Sequence, residues 1–319
     1  MFFVSLKTVT LGMAEIFLLA ALGFFLVRRK IISDDGLDAL SRIVVVFTLP
    51  AFIFHQLAKD FSFALYPNWW IFPLLSLGIT GAGFLLGVFL LKVNAGIAPK
   101  RESVSLVAFQ NSGYLPLSLI ATIVPEPERP VMFTYLFLFL IGFNLVIWSL
   151  GAWFLSRNKN RQAGLKIASI FSPPVIATFA AFFFIIIGLN KFIPQVILRP
   201  IKLLGDCTVP MAMIIVGGSL AQLVIRPAKN LGLIFNAVLG KLIILPLIFL
   251  PLVLSLKINR QVGLLIIMQA AMPSATTLVL INRLYGLKEE AINQGVFYSH
   301  LISILTIPLF LTLFWMFCP

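Results

Sequence analysis

The chain has 319 residues, of which 60% are hydrophobic and only 11% are charged, and its mean hydropathy is +1.06. Soluble domains carry about 25% charged residues and need polar surface to face water, so we expect an integral membrane protein. The net charge of +13 would suggest a nucleic-acid partner in a soluble protein. Here the basic residues cluster in short connections between apolar runs, where they indicate membrane topology instead.

Runs of roughly 20 apolar residues, bounded by charges or turn residues, predict ten membrane-spanning helices. In chain order these predicted spans cover residues 8–27, 37–58, 70–91, 103–124, 131–155, 167–189, 206–223, 230–256, 261–284 and 291–317. The first should remain a span rather than a cleaved signal peptide, because its basic cluster, Arg28-Arg29-Lys30, follows it. Residues 191–205 are interpreted as a polar linker, with a short interfacial helix as the alternative.

The basic residues of alternate connections predict the orientation in the membrane. One set of connections holds fifteen Lys and Arg residues and the opposite set holds eight, while Lys241 lies inside a span. The side richer in basic residues faces the cytoplasm. Both termini are therefore predicted to lie outside the cytoplasm, and the protein is predicted to be a multi-pass protein of the cytoplasmic (inner) membrane.

Two pairs of sequence features indicate an internal repeat. Thr48-Leu49-Pro50 in the second span resembles Thr208-Val209-Pro210 in the seventh, 160 residues later, and Pro116 in the fourth matches Pro273 in the ninth, 157 residues later. Because the spans are five apart, the second copy would enter the membrane inverted. This arrangement is typical of secondary transporters, whose site lies at the midplane between the copies. The predicted units are residues 1–155 and 167–319, joined by a short cytoplasmic loop at 156–166.

The ninth span holds the sequence QAAMPSATT at 269–277, which places a proline and four polar side chains inside the membrane. Pro273 should break the helix, and the freed backbone groups need protein or a water-filled cavity to satisfy them. The fourth span has a similar combination of polar residues and proline, in the sequence QNSGYLP at 110–116. Two broken helices would cross there, with half-helix amino termini that suit an anion; ordinary proline kinks with polar interhelical contacts are the alternative. The predicted substrate site comprises Asn111, Gly113, Tyr114, Pro116, Asn144, Gln269, Pro273, Ser274, Thr276 and Thr277.

Four ionisable residues in or beside spans are candidates for charge balance or coupling. Lys241 is costly near the middle of a span and usually faces a cavity or a partner; it could neutralise a carboxylate substrate, support the broken helices as a structural cation, or snorkel. Glu15 and Asp206 could carry a proton or cation, or have interfacial or packing roles. His300 could titrate near neutral pH or serve as a hydrogen-bonded core residue.

These residues also carry a family resemblance. The stretch IMQAAMP at 267–273, followed by Tyr285-Gly286, is similar to the Gln-Ala-Ala-Leu-Pro stretch of the auxin efflux carrier family, which includes bacterial permeases and the plant PIN-formed auxin carriers. DCTVPMAMIIVGGSL at 206–220 resembles the family's Asp-x-x-x-x-Met-Ala-Met-x-x-x-Gly-x-x-Leu. Asn111-Ser112-Gly113 to Pro116 and Ser172-Pro173-Pro174 are similar with lower specificity, and the resemblance covers nearly the whole chain.

The resemblance implies an all-α membrane fold of ten helices in two inverted five-helix repeats, similar to sodium/proton antiporters. Spans 1, 2, 6 and 7 would form a scaffold, and the other six a transport unit that moves like an elevator. It also implies that Asn111 hydrogen-bonds a substrate carboxylate and that Pro116 and Pro273 create the crossover. The short 156–166 connection differs from the long loop of some plant members and argues against phospho-regulation there. Gln110 stands where plant members have Pro, so auxin itself is not assigned as the substrate.

We therefore expect a secondary carrier that exports a small organic anion, such as a carboxylate, driven by the membrane potential, with proton coupling as the alternative. A sodium- or proton-coupled symporter of the bile-acid type and a non-transporting sensor on a transporter fold remain open. An enzyme is not expected, because eleven acidic residues, two histidines and two cysteines form no catalytic or metal-binding constellation. No metal, cofactor or nucleic-acid partner is predicted. The expected partners are the anion, the lipid bilayer and a second copy of the chain bound through the scaffold.

Overall fold

The computed structural model describes residues 2–94, 96, 100–156, 171–223, 231–284 and 289–318. Within these ranges the regular structure is helical, apart from one isolated β-bridge. Seven helical runs are long and apolar enough to cross a membrane by length and composition. They are Leu6–Arg28, Asp34–Asp60, Ile71–Val93, Glu126–Ser156, Gln195–Gln222, Leu231–Ser255 and Glu290–Phe317. Three shorter apolar helices are Tyr114–Ile123, Pro173–Ile186 and Arg260–Ala271.

The first half of the chain contains eight helices among its described residues. These are α1 (Phe2–Arg28), α2 (Asp34–Ile43), α3 (Leu49–Asp60), α4 (Ile71–Val93), α5 (Lys100–Ala108), α6 (Tyr114–Ile123), α7 (Arg129–Val146) and α8 (Ala152–Ser156). The Ser33 hydroxyl caps α2 by accepting the Gly36 N–H at 3.1 Å, and two aspartates occupy the first turn. Both features stabilise a helix amino terminus.

The second half contributes another eight helices within the described ranges. These are α9 (Pro173–Ile186), α10 (Gln195–Asp206), α11 (Thr208–Gln222), α12 (Leu231–Val238), α13 (Leu245–Ser255), α14 (Arg260–Ala271), α15 (Thr277–Leu284) and α16 (Glu289–Phe317). Short 3₁₀ turns lie at Glu126–Glu128 and Leu189–Phe192. The Asn259 side chain caps α14 by accepting the Gln261 N–H at 3.0 Å.

Three wider π-helical turns interrupt the longer runs, at Val44–Thr48, Ile147–Gly151 and Leu239–Ile244. Two of them are followed directly by a helix with proline at its second residue, Pro50 in α3 and Pro246 in α13. A proline cannot donate to the carbonyl four residues earlier and clashes with it. The wider turn accommodates that clash, and such π-bulges are frequent at functional sites. The π-turn Leu239–Ile244, which precedes α13, contains Lys241.

All ten predicted spans coincide with helices where the structure describes them, but only seven helical runs have spanning length. The fourth and ninth predicted spans are each divided into two short helices, and the sixth is described only as α9. For residues 191–205 the structure shows the alternative, a short helix, rather than a linker. Helix α10 occupies most of this stretch and forms with α11 a 28-residue run. Within α10, a Lys202–Asp206 ion pair at 2.6 Å stabilises the helix across one turn.

Small residues allow α1 and α11 to pack in direct backbone contact. A Cβ atom at Gly217 would overlap the backbone of Ala20, and one at Gly23 would overlap the backbone of Ile214. Such close approach through glycine is the usual means of joining helices in a membrane. We refer to this pair of positions as the glycine contact.

The most enclosed helices surround the broken segments. In α14 every residue from Gly263 to Ala271 is buried, and α7 is buried along most of its length. A helix that is buried on all faces lies in the interior of a bundle. The break that follows α14 therefore lies deep inside the protein.

Candidate functional site

Two extended segments interrupt the fourth and ninth predicted spans. Residues 109–113 separate α5 from α6, and residues 272–276 separate α14 from α15. The predicted interruption of both spans is confirmed. Pro273 lies inside the second segment, whereas Pro116 is the third residue of α6, where a missing N–H costs little. The two prolines are therefore not equivalent relative to the breaks.

The two extended segments pair with each other. The Asn111 N–H donates to the Pro273 carbonyl at 2.8 Å, and the Ala275 N–H donates to the Phe109 carbonyl at 2.9 Å. Gln110 and Ser274 thus form an isolated antiparallel bridge. Each segment provides hydrogen-bond partners for backbone groups that the break in the other helix leaves unpaired. An apolar environment requires such pairing. We refer to the paired segments 109–113 and 272–276 as the crossover.

Side chains complete the crossover. The Ser274 hydroxyl donates to the Leu106 carbonyl near the end of α5 at 2.7 Å, and the Gln269 amide donates to the Ser112 carbonyl at 3.2 Å. The Ser274 N–H donates to the Ser299 hydroxyl on α16 at 3.2 Å. Helices α5 and α14 end at the crossover while α6 and α15 begin there, so two helix ends of each polarity meet at one place.

Lys241 reaches the crossover from the π-turn after α12. Its side chain is fully buried, and its Nζ lies 3.5 Å from the Gln110 side-chain carbonyl. Gln110 and Gln269 are also fully buried, and within the described part of the chain the Gln110 Nε2 and the Gln269 Oε1 have no hydrogen-bond partner. A buried cation with one long contact to a neutral amide is poorly compensated. The arrangement leaves N–H donors and positive charge available at the centre of the protein.

Asn111 contacts His300 on α16. Its amide nitrogen lies 3.1 Å from the His300 Nε2, and the His300 Nδ1 lies 2.9 Å from the Val296 carbonyl. Both side chains are buried, with Asn111 only 5% exposed. Successive residues Gln110 and Asn111 therefore contact different elements. Gln110 contacts Lys241 in the π-turn after α12, and Asn111 contacts His300 on α16.

Four other predicted crossover residues are less deeply buried. Gly113, Tyr114, Thr276 and Thr277 are partly exposed, in contrast to the buried Gln110, Gln269 and Ser274. A Cβ atom at Gly113 would meet nothing within 4 Å, so space exists beside it.

Three other predicted residues are placed elsewhere. Asp206 forms its ion pair with Lys202, and both side chains are about half exposed, at 51% and 55%. Glu15 is exposed midway along α1, and Asn144 is half-buried near the end of α7. The described contacts do not connect these side chains with the crossover.

Sequence reasoning did not single out several polar residues that the structure buries around the crossover. Ser299 accepts the Ser274 N–H of the crossover, but a single serine carries no signal in a sequence. A further group of buried side chains has polar atoms without hydrogen-bond partners. It comprises Ser105, Asn236, Asn282 and Gln294. The amides of Asn236, Asn282 and Gln294 could have signalled an interior role because amides are costly in a membrane helix.

The sequence profile of a family described as "Membrane transport protein" matches residues 8–311. The chain belongs to this family of auxin efflux carriers. It is a multi-pass membrane transporter. The predicted family is thereby confirmed, while the stretch Tyr285-Gly286 lies outside the residues that the structure describes.

Relatives that align along nearly their whole length support the membership. Protein PIN-LIKES 5 of Arabidopsis thaliana is 20% identical, with 98% of each chain aligned. PIN-LIKES 7 of the same plant is 22% identical over 97% of each chain. An uncharacterized transporter of Methanocaldococcus jannaschii is 24% identical, over 92% of this chain and 95% of its own.

Proposed function

We propose that this transporter carries a small organic anion with a carboxylate group, bound at the crossover. The observation that carries the proposal is the placement of Lys241. Its buried ammonium contacts the neutral Gln110 amide at the crossover. An anion bound there would supply the charge compensation that a buried cation requires.

The distribution of acidic residues supports an external anion as the partner. Among the residues whose side chains the structure describes, no Asp or Glu is buried, and Glu15 on α1 is exposed. The interior therefore offers basic and amide groups rather than carboxylates. The unpartnered Gln110 Nε2 adds a donor beside Lys241. Charge-assisted hydrogen bonds of this kind are the strong ones for carboxylate recognition.

Asn111 supplies a second contact for the anion in this proposal. Its backbone is fixed by the Pro273 carbonyl, and its amide lies in the same extended segment as Gln110. The amino termini of α6 and α15 would add positive dipole ends. Gly113, Tyr114, Thr276 and Thr277 would line the approach, and Gln269, Pro273, Ser274 and Pro116 would shape the crossover.

An inverted repeat and an elevator-type movement complete the proposal. They are supported by the two paired breaks, at residues 109–113 and 272–276, which lie in predicted spans that are five apart. The proposed repeats are 1–155 and 167–319, and the loop between them, beyond Ser156, lies outside the described residues. We further propose that both termini lie outside the cytoplasm and that scaffold helices join two copies.

We also propose export driven by the membrane potential, because Lys241 occupies a place where a coupling cation would otherwise compensate the anion. Coupling to protons or sodium, as in carriers of the bile-acid type, is the second candidate. The amide and carbonyl groups that could bind a sodium ion are found at or beside the crossover, in Gln269 and Ser112. The third candidate is a sensor that binds the anion without transporting it.

Purified protein in liposomes on a solid-supported membrane tests the proposal. Acetate, succinate and indole-3-acetate are applied with and without sodium at two pH values, and the charge movement is recorded. We expect a saturable current for at least one carboxylate that is indifferent to sodium and is lost in Asn111→Ala. Asn190→Ala is the matched control, because Asn190 bonds the Ala58 carbonyl away from the crossover. Binding detected by thermal shift without any current would favour the sensor, and a sodium requirement would favour the symporter.

A further inference from the structure

We infer that His300 is a positioning residue that fixes the amide of Asn111 for ligand binding. The inference rests on the proposed function, because it concerns the same crossover. It assigns a role to α16, whose described contacts brace both extended segments. His300 and Asn111 are 189 positions apart in the chain, and their side chains meet at 3.1 Å.

The hydrogen bonds of the imidazole determine which way the Asn111 amide faces. The Val296 carbonyl can only accept, so the His300 Nδ1 at 2.9 Å must carry the proton. In a neutral imidazole the other nitrogen, Nε2, is then an acceptor. The atom of Asn111 that faces it must be the donating amide nitrogen. The orientation of the amide thus follows from a backbone carbonyl one turn away on α16.

One turn of α16 holds both halves of the crossover. His300 contacts Asn111 in segment 109–113, while the Ser299 hydroxyl accepts the Ser274 N–H in segment 272–276. Ser299 also donates to the Val296 carbonyl at 2.9 Å, the same acceptor that His300 uses. The helix therefore presents two adjacent polar residues, each directed to a different segment.

The fixed amide has a consequence for recognition. One N–H of Asn111 is held by His300 and its backbone N–H is held by Pro273, which leaves the second amide N–H and Oδ1 for a ligand. A carboxylate oxygen can accept that N–H without the amide first losing rotational freedom. Locking a contact group before binding raises affinity by lowering the ordering cost. Without His300 the amide could rotate and would present its oxygen to the anion in part of the population.

The affinity test uses the carboxylate of the panel that gives the largest wild-type current. His300→Leu should raise its half-saturating concentration by roughly tenfold, as expected for the loss of one well-placed hydrogen bond. His300→Gln should restore most of the affinity, because its side-chain oxygen can accept from Asn111. In an Asn111→Ala background, His300→Leu should have no further effect on residual binding. Thr312→Val, a buried change elsewhere on α16, is the control.

A measurement without any ligand tests the contact itself. The protein has two histidines, so a His55→Gln variant labelled with ¹⁵N-histidine leaves the signals of His300 alone. We expect a protonated Nδ1 and an unprotonated Nε2, and a shift of the Nε2 signal in Asn111→Ala. If the panel gives no saturable response in the wild type, the proposed function fails, and the nitrogen signals still decide the contact. A protonated Nε2, or full affinity in a folded His300→Leu protein, would overturn the inference.

Discussion

The glycine contact and the crossover hold the protein together by opposite means. At the glycine contact, α1 and α11 touch through backbone atoms because Gly23 and Gly217 have no side chain. At the crossover, segments 109–113 and 272–276 are joined by hydrogen bonds, and polar side chains are buried around them. The first depends on shape and needs no polar group. The second retains polar atoms that an apolar replacement would avoid, and the proposed function gives them a role in binding.

The largest effect is expected at the glycine contact. Gly217→Val would place side-chain atoms into the backbone of α1, and backbone cannot yield as a flexible side chain can. We expect a loss of more than about 3 kcal/mol of stability, so that little monodisperse protein is recovered on size-exclusion chromatography. Gly81→Val is the control, since a Cβ atom there meets nothing within 4 Å. Normal recovery of Gly217→Val would show that the helices can separate at no cost.

Lys241→Met should separate stability from function. An apolar side chain of similar length removes a buried charge, so the thermal midpoint should stay the same or rise. The response to a carboxylate should fall about 100-fold, because truncation of a buried charged contact costs several kcal/mol in binding. Lys59→Met, on the exposed end of α3, serves as the control. A large drop in thermal midpoint with retained transport would assign Lys241 to the structure alone.

Ser274→Ala measures how much one side-chain hydrogen bond of the crossover contributes to stability. Its hydroxyl satisfies the Leu106 carbonyl at 2.7 Å, so the variant leaves a buried acceptor unpaired. We expect a loss of about 1–2 kcal/mol of stability, seen as a lower thermal midpoint. Ser255→Ala removes a comparable hydroxyl from an exposed position on α13 and should be silent. Equal midpoints for the two variants would mean that water replaces the Ser274 contact.

The smallest effect is expected at Asp206. Its ion pair with Lys202 is about half exposed, and such pairs contribute roughly 0–1 kcal/mol. Asp206→Asn should therefore change the thermal midpoint little and leave carboxylate currents intact. If the variant instead altered the pH or sodium dependence of the current, Asp206 would be a coupling residue and the account of the crossover would be incomplete.

The sequence predicted the breaks because their causes are local. Pro273 removes a backbone donor, and the amides at Gln110 and Asn111 are anomalous in a membrane span, so both segments could be recognised without a structure. The positions of the breaks relative to the prolines could not be predicted from the sequence. Pro116 lies within α6 rather than in the extended segment, because an early helical position tolerates proline.

The contacts of the crossover depend on tertiary structure and could not be predicted. Lys241 was recognisable as a costly residue in mid-span, but its approach to Gln110 joins positions 131 apart. The contact between Asn111 and His300 joins positions 189 apart. For residues 191–205 the helical alternative was not the preferred one, because Arg199 and Lys202 suggest a polar connection although they lie on α10 together with exposed apolar residues.

The central claim is that the crossover binds an anion, and one comparison tests it most directly. Charge movement on a solid-supported membrane is recorded for the best carboxylate of the panel and for its uncharged primary amide, using wild type, Lys241→Met and Asn190→Ala. We predict a saturable current for the carboxylate alone, retained in Asn190→Ala and lost in Lys241→Met. A full-sized carboxylate current in folded Lys241→Met protein would contradict the account.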